Sequence, residues 1–186
     1  MQNNVIYLAR PCQYVSREES PKCHSRYWST ARYAPAVIES YHDILNALRH
    51  QGVNEFHLVG YSGGAPLALI LAEQRNDILS VTTVAGNISL KTFSELHHVD
   101  YLTESLDPQT FINQLGNVRQ QHYIGSEDVI VPISIAQAWQ QTLSPTQQNH
   151  SKLISVPNVS HHSGWQIFWK KNIATIHTDT GHRSNL

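Results

Sequence analysis

Short apolar runs alternate along this chain with longer segments whose apolar residues recur at helical spacing. Runs rich in Val, Ile and Leu predict buried strands, and the helical spacing predicts amphipathic or buried helices. The predicted strands are 5–9, 56–59, 81–85, 121–124 and 152–156. The predicted helices are 35–48, 65–72, 108–115, 132–143 and 165–173.

This alternation predicts the fold class. Strands that alternate with helices form an α/β domain with a mainly parallel sheet, right-handed crossovers and helices on both faces of the sheet. We expect one such domain over residues 1–177. Residues 178–186 are polar and are predicted to be a frayed tail.

A serine between glycines follows the second predicted strand. The segment Gly60-Tyr61-Ser62-Gly63-Gly64 fits the pattern G-x-S-x-G and leads directly into a predicted helix. In such a strand–turn–helix, the serine sits in a tight turn with positive φ, which lifts its hydroxyl above the sheet edge. Side chains two positions to either side are expected to clash, which favours glycine there. We therefore predict Ser62 as a nucleophile and the N–H of Gly63 as an oxyanion donor.

A serine hydroxyl needs a histidine to remove its proton and a carboxylate to orient that histidine. In sites built on this turn, the chain order is serine, acid, histidine. Asp128 follows the predicted strand 121–124 and is the predicted acid, with Glu127 as the alternative. His161 follows the last predicted strand and is the predicted base, with His162 as the alternative. The sequence leaves open that Asp128 only caps a turn and that both histidines lie on the surface.

The composition limits the kinds of molecule that the chain is expected to bind. Apolar residues make up 40% of the chain, charged residues 15%, and the formal net charge is −1. We therefore expect a folded core and a small-molecule substrate rather than a nucleic acid or membrane-surface partner. The longest apolar run, 65–72, is too short for a transmembrane segment. The 12 histidines show no metal-binding spacing, so no metal or cofactor is expected.

The two cysteines, Cys12 and Cys23, lie outside the periodic segments. A single pair without a second one is not a zinc motif. The residues alone are compatible with two free thiols or with one disulfide.

The motifs at 60–64, 125–132 and 159–165 together resemble the α/β-hydrolase family of serine hydrolases. Segments 7–14, 27–28 and 84–87, with Cys23, are similar to a narrower group of uncharacterised bacterial hydrolases that are often exported. The resemblance implies a serine hydrolase that acts on an acyl substrate, for which an ester is favoured. It also implies a Cys12–Cys23 disulfide and an extracytoplasmic location. The residues themselves leave a cytoplasmic location open.

One departure from the family concerns the N-terminal part of the sheet. The family has four strands before the nucleophile strand, whereas this chain has one predicted strand there, 5–9. The family loop that supplies a second oxyanion donor has no counterpart, so the chain is expected to be N-terminally truncated. Either residues 5–9 pair with the run 56–59, or that edge of the sheet is exposed. The alternative function is therefore a poorly active or non-catalytic remnant that acts as a binding module. The sequence predicts no oligomeric state.

Overall fold

The computed structural model describes residues 4–15 and 18–178. Within these residues the strands are β1 (Phe56–Tyr61), β2 (Ile78–Val84), β3 (Arg119–Gly125) and β4 (Ser151–Val156). The helices are α1 (Pro35–His50), α2 (Gly64–Gln74), α3 (Leu90–His97), α4 (Ile133–Thr142), α5 (Pro145–Gln148) and α6 (Trp165–Thr178). Short 3-10 turns cover Ser25–Trp28, Pro108–Thr110 and Ile112–Gln114.

The four strands form one parallel sheet in the order β1-β2-β3-β4. The register pairs Tyr61 with Val84, Val84 with Tyr123, and Tyr123 with Ile154. The carboxyl ends of all four strands therefore finish at the same edge of the sheet, where ligand sites of α/β proteins lie. The predicted fold class, an α/β domain with a parallel sheet, is confirmed.

Helices cover both faces of this sheet. On one face, α2 and α4 pack against strand residues such as Val81 and Ile124, with Trp139 fully buried among them. On the other face, Trp165 and its neighbours on α6 pack against Tyr123. Tyr123 and Ile124 are consecutive in β3 and point to opposite faces, as the pleat of a strand requires. No helix among the described residues has the length and apolar character needed to cross a bilayer.

The predicted strand at 5–9 is wrong. Residues 4–10 have no regular secondary structure, and Val5 and Tyr7 are 73% and 93% exposed. β1 is the outer strand of the sheet, and Val59 on it is 72% exposed. An apolar run forms a stable strand only where a neighbouring strand and a buried face support it. Residues 5–9 have no such neighbour among the described residues, so the exposed-edge alternative describes this sheet.

The predicted helix at 108–115 is replaced by two short 3-10 turns. Asp107 caps the first turn by accepting a hydrogen bond from the N–H of Gln109. Phe111 then leaves the helical region, with φ −110° and ψ 11°, and separates the two turns. So short a segment gains too few hydrogen bonds to offset helix nucleation. At the C-terminus, residue 178 ends α6, and the remainder of the predicted tail, 179–186, lies outside the described residues.

A disulfide joins Cys12 to Cys23, 11 positions apart in the sequence. Near it, the indole N–H of Trp28 donates a hydrogen bond of 2.6 Å to the carbonyl oxygen of Cys12. The bridge therefore ties the irregular N-terminal segment to the 3-10 turn that precedes α1. Such a loop closure stabilises a fold mainly by restricting the unfolded chain.

Reduction of the Cys12–Cys23 bridge is expected to lower the free energy of unfolding by about 2–3 kcal/mol, because the unfolded chain regains the entropy of the open loop. Urea unfolding with and without a thiol reductant measures this difference. A Cys12→Ser/Cys23→Ser variant serves as the control and should unfold like the reduced protein, without sensitivity to reductant. Equal unfolding midpoints for the oxidised and reduced protein would contradict the prediction.

Glu73 on α2 is a buried acid whose carboxyl group has no hydrogen-bond partner within the described part of the chain. The residue is 4% exposed, and neither carboxyl oxygen accepts a hydrogen bond from a described residue. Burial raises the pKa of Glu73 to about 9, and nearby Asp107 acts in the same direction. The folded chain therefore keeps this carboxyl protonated at neutral pH, and its ionisation opposes folding.

Glu73 is expected to make the free energy of unfolding fall as the pH rises from the ordinary value of 4.5 to about 9. In that range the folded chain holds a proton that the unfolded chain has lost, so the slope approaches about 1.4 kcal/mol per pH unit. The variant Glu73→Gln should lack this pH dependence. Its free energy of unfolding should therefore rise relative to that of the wild type as the pH increases. Denaturant unfolding at a series of pH values measures the difference. The exposed Glu39→Gln on α1 is the control, and parallel pH profiles for Glu73→Gln and wild type would contradict the prediction.

Candidate active site

Ser62, Asp128 and His161 each lie in a turn beyond the carboxyl end of a strand. Ser62 follows β1, Asp128 follows β3, and His161 follows β4. Because these strand ends share one edge of the parallel sheet, the three turns meet there. The fold thus brings together three residues that are far apart in the sequence.

Ser62 occupies the sharp turn between β1 and α2 with a φ of 48°. Its N–H donates to the carbonyl oxygen of Val84 at 2.9 Å, which continues the pairing of β1 with β2. Its own carbonyl oxygen accepts from the N–H of Ala65 at 3.1 Å and from that of Asn87 at 3.3 Å. These main-chain hydrogen bonds hold the residue in a conformation that non-glycine residues rarely adopt.

The glycines on either side of this turn differ in their surroundings. A Cβ on Gly60 would lie 2.5 Å from the carbonyl oxygen of Gly64 and 2.6 Å from the Cα of Ala65. A Cβ on Gly64 would meet nothing within 4 Å. The expected clash therefore exists at position 60 only. Position 64 begins α2, where a side chain points into open space.

A chain of hydrogen bonds connects the three residues. The hydroxyl oxygen of Ser62 lies 2.9 Å from Nε2 of His161, and Nδ1 of His161 lies 2.8 Å from Oδ2 of Asp128. A carboxylate only accepts, so Nδ1 carries the ring proton and donates it to Asp128. Nε2 is then free to accept from the hydroxyl of Ser62. His161 and Asp128 are 5% and 4% exposed, so water competes little for these bonds.

The second oxygen of Asp128 fixes the carboxylate. Oδ1 accepts from the N–H of Ile130 at 2.9 Å and from the N–H of Val131 at 2.7 Å. These bonds belong to the turn between β3 and α4, so the turn itself orients the acid. Within the described part of the chain, Oδ2 hydrogen-bonds to His161 only.

The alternative residues occupy other positions. Glu127 is exposed, and its N–H donates to the carbonyl oxygen of Val159. His162 is also exposed, and its ring centroid lies 4.6 Å from that of His161. Nδ1 of His162 lies 3.1 Å from the hydroxyl of Tyr61. The histidine that faces Ser62 is thus His161.

Gly63, whose N–H is the predicted oxyanion donor, is the N-cap of α2. A helix N-terminus carries partial positive charge, which favours a developing anion. Tyr33 lies beside it, and the Tyr33 hydroxyl would be 3.4 Å from a Cβ on Gly63. Tyr33 is fully buried, and its hydroxyl has no hydrogen-bond partner among the described residues. Burial raises the pKa of Tyr33 above its usual value, so the side chain next to Gly63 is neutral.

Tyr61 has no role that the sequence predicts, yet its hydroxyl lies 2.8 Å from the carbonyl oxygen of His161. Tyr61 stands at a variable position of the G-x-S-x-G motif. Its partner is 100 positions away and is a main-chain atom, so no side-chain pattern could have revealed the contact.

The site contains groups suited to proton transfer and nucleophilic attack. Among the described residues, no group of three or more His, Cys, Asp or Glu side chains is arranged to hold a metal ion. The expectation that the site uses neither metal nor cofactor stays a prediction.

Comparison with known proteins identifies the fold. No protein-family model and no curated protein sequence matches the chain. An esterase from Pyrococcus furiosus superposes with a TM-score of 0.62 at 13% identity, over 83% of this chain and 64% of that one. An α/β-hydrolase from Penicillium sp. sh18 gives 0.60 at 12% identity, over 79% and 71% of the two chains. A monoacylglycerol lipase from Paleococcus ferrophilus gives 0.58 at 10% identity, over 77% and 76%. The chain therefore has the α/β-hydrolase fold.

Gly60→Ala is expected to lower the free energy of unfolding by about 1–3 kcal/mol, because its Cβ must displace the main chain of the turn around Ser62. Gly64→Ala adds the same methyl group in open space and should leave stability within about 1 kcal/mol of wild type. Denaturant unfolding of the two variants measures the contrast. Equal stability of the two variants would show that the close approach at Gly60 does not constrain the turn.

Proposed function

We propose that this chain is a serine hydrolase that cleaves an ester-type acyl substrate through Ser62, His161 and Asp128. The observation that carries the proposal is the continuous hydrogen-bonded chain from the Ser62 hydroxyl through both ring nitrogens of His161 to the Asp128 carboxylate. That arrangement lets a neutral imidazole take the proton of a hydroxyl while a buried carboxylate stabilises the resulting cation.

The reaction begins with attack by the Ser62 oxygen on the carbonyl carbon of the ester. As the new C–O bond forms, the hydroxyl proton moves to Nε2 of His161, and the carbonyl oxygen becomes an oxyanion. The N–H of Gly63 donates a hydrogen bond to that oxyanion, supported by the N-terminus of α2. Asp128 stays ionised and keeps the His161 ring aligned.

The tetrahedral intermediate then collapses. The bond to the leaving alkoxide breaks, and His161 gives its proton to the departing oxygen, which yields an alcohol and an acyl group on Ser62. Water attacks this acyl-enzyme while Nε2 takes one of its protons. When the second intermediate collapses, that proton returns to the Ser62 oxygen, and the carboxylic acid is released.

The names of two of the similar structures support the choice of an ester substrate. One of them is an esterase and another a monoacylglycerol lipase. Amides and thioesters would use the same groups, so a panel of matched p-nitrophenyl ester, anilide and thioester substrates separates the three classes. Highest kcat/KM on the esters is the expected result.

A fluorophosphonate probe is expected to label the wild-type chain at Ser62. Ser62→Ala should abolish labelling, and His161→Ala and Asp128→Asn should slow it by about 10³-fold or more, because each breaks the hydrogen-bonded chain that activates the hydroxyl. Labelling and hydrolysis of a p-nitrophenyl ester are measured together. His50→Ala, at the exposed end of α1, is the matched histidine control and should label at the wild-type rate.

Two outcomes would contradict the proposal. Loss of labelling in His162→Ala with retention in His161→Ala would move the role of base to His162. No labelling of a wild-type chain that melts cooperatively would favour the second candidate function, a non-catalytic binding module. The observation that favours this second function is the outer strand β1, whose Val59 is 72% exposed and available to a partner.

A further inference from the structure

The hydroxyl of Tyr61 ties the nucleophile strand to the histidine turn. It donates a hydrogen bond of 2.8 Å to the carbonyl oxygen of His161. Tyr61 is the residue immediately before Ser62, at the carboxyl end of β1. The main chain that carries the nucleophile and the main chain that carries the base are therefore joined directly, in addition to the bond between their side chains.

A second hydrogen-bond donor, on α6, reaches the same carbonyl oxygen. The indole N–H of Trp165, the first residue of α6, lies 3.1 Å from it. A carbonyl oxygen has two lone pairs, and Tyr61 and Trp165 use both. The peptide group of His161 is thus clamped between β1 and α6.

The backbone around His161 requires such support. Asn158 and Gly164, on either side of the turn, have φ values of 55° and 89°, and both lie in the left-handed region. Between them the turn is held by local bonds, such as that between the hydroxyls of Ser160 and Ser163 at 2.7 Å. Bonds from Glu127 N–H to the Val159 carbonyl oxygen and from Asn158 N–H to the Ser126 hydroxyl join this turn to the turn of Asp128. The bond from Tyr61 joins it to β1, directly beside Ser62.

His162 completes the arrangement around the Tyr61 hydroxyl. Its Nδ1 lies 3.1 Å from that oxygen. The single hydroxyl proton is donated to the carbonyl of His161, so Nδ1 of His162 carries a proton and donates to Tyr61. Burial and the nearby Asp128 raise the pKa of Tyr61 above its usual value, so the hydroxyl remains a donor.

We propose that Tyr61 is a positioning residue that aligns His161 with Ser62 through the main-chain carbonyl of His161. The inference rests on the proposed function. Asp128 holds the far side of the His161 ring, and Tyr61 holds the peptide from which the ring extends. Without the hydroxyl, the turn has more freedom, and the distance between the Ser62 oxygen and Nε2 is no longer held at the value that proton transfer needs.

Tyr61→Phe tests this proposal, because it removes only the hydroxyl of a side chain that is 46% exposed and leaves no cavity. We expect kcat on a p-nitrophenyl ester and the rate of fluorophosphonate labelling to fall together by about 10-fold, with KM within about twofold of wild type. The melting temperature should stay close to that of the wild type. Tyr101→Phe is the matched control, since Tyr101 is 52% exposed and donates its hydroxyl to Glu95.

A spectroscopic readout separates positioning from a general structural role. The proton between Nδ1 of His161 and Asp128 is expected to give a far-downfield resonance in proton NMR while the ring is held 2.8 Å from the carboxylate. Tyr61→Phe should broaden it through exchange, and Tyr101→Phe should leave it unchanged.

The results that overturn the proposal are distinct from those that overturn the proposed function. Unchanged kcat, labelling and resonance in Tyr61→Phe, with an active wild type, overturn the positioning role alone. An inactive, unlabelled wild type overturns the proposed function, and the resonance alone then decides whether Tyr61 holds the His161 turn.

Discussion

The turn at Ser62 is the constraint on which the rest of the site depends. A φ of 48° in a residue with a side chain costs free energy of the order of 1 kcal/mol. The turn is held because β1 continues its pairing with β2 through the Ser62 N–H, and because the Ser62 carbonyl receives two further N–H donors. The absence of a Cβ at Gly60 allows α2 to begin directly against the strand. The parallel register then brings the turns that carry Asp128 and His161 to the same edge.

Two buried ionisable side chains in this fold, His122 and Glu73, differ in their hydrogen bonding. His122 is fully buried, and burial lowers its pKa to about 3. It hydrogen-bonds through one ring nitrogen to Thr83 and through the other to Gln120, which also accepts from Trp139. Both ring nitrogens of the neutral His122 therefore have a hydrogen-bond partner inside the core. Glu73 is also buried, but its carboxyl oxygens have no hydrogen-bond partner among the described residues. The first group adds specificity to the core, whereas the second opposes folding whenever it ionises.

Much of this architecture could be predicted because it depends on local pattern. The apolar runs at β1 to β4 and the proline-led helices have the periods of strand and helix, and the motif around Ser62 has a defined backbone requirement. Other features could not be predicted because they depend on tertiary packing. Residues 5–9 are as apolar as a strand, but apolar character does not show whether a neighbouring strand is present. The contact of Tyr61 with the carbonyl of His161 and the burial of Tyr33 beside Gly63 arise from tertiary packing, which no local pattern records.

β1 lies at the border of the sheet, where a strand from another polypeptide chain would add. The strand that precedes Ser62 is also an outer strand of the sheet, and no strand among the described residues pairs with its outer side. A polypeptide that extended the sheet there would run alongside β1, which ends at Tyr61. Such edges are where proteins add strands from other chains. The strand that leads to the proposed nucleophile is therefore also the strand to which another chain would add.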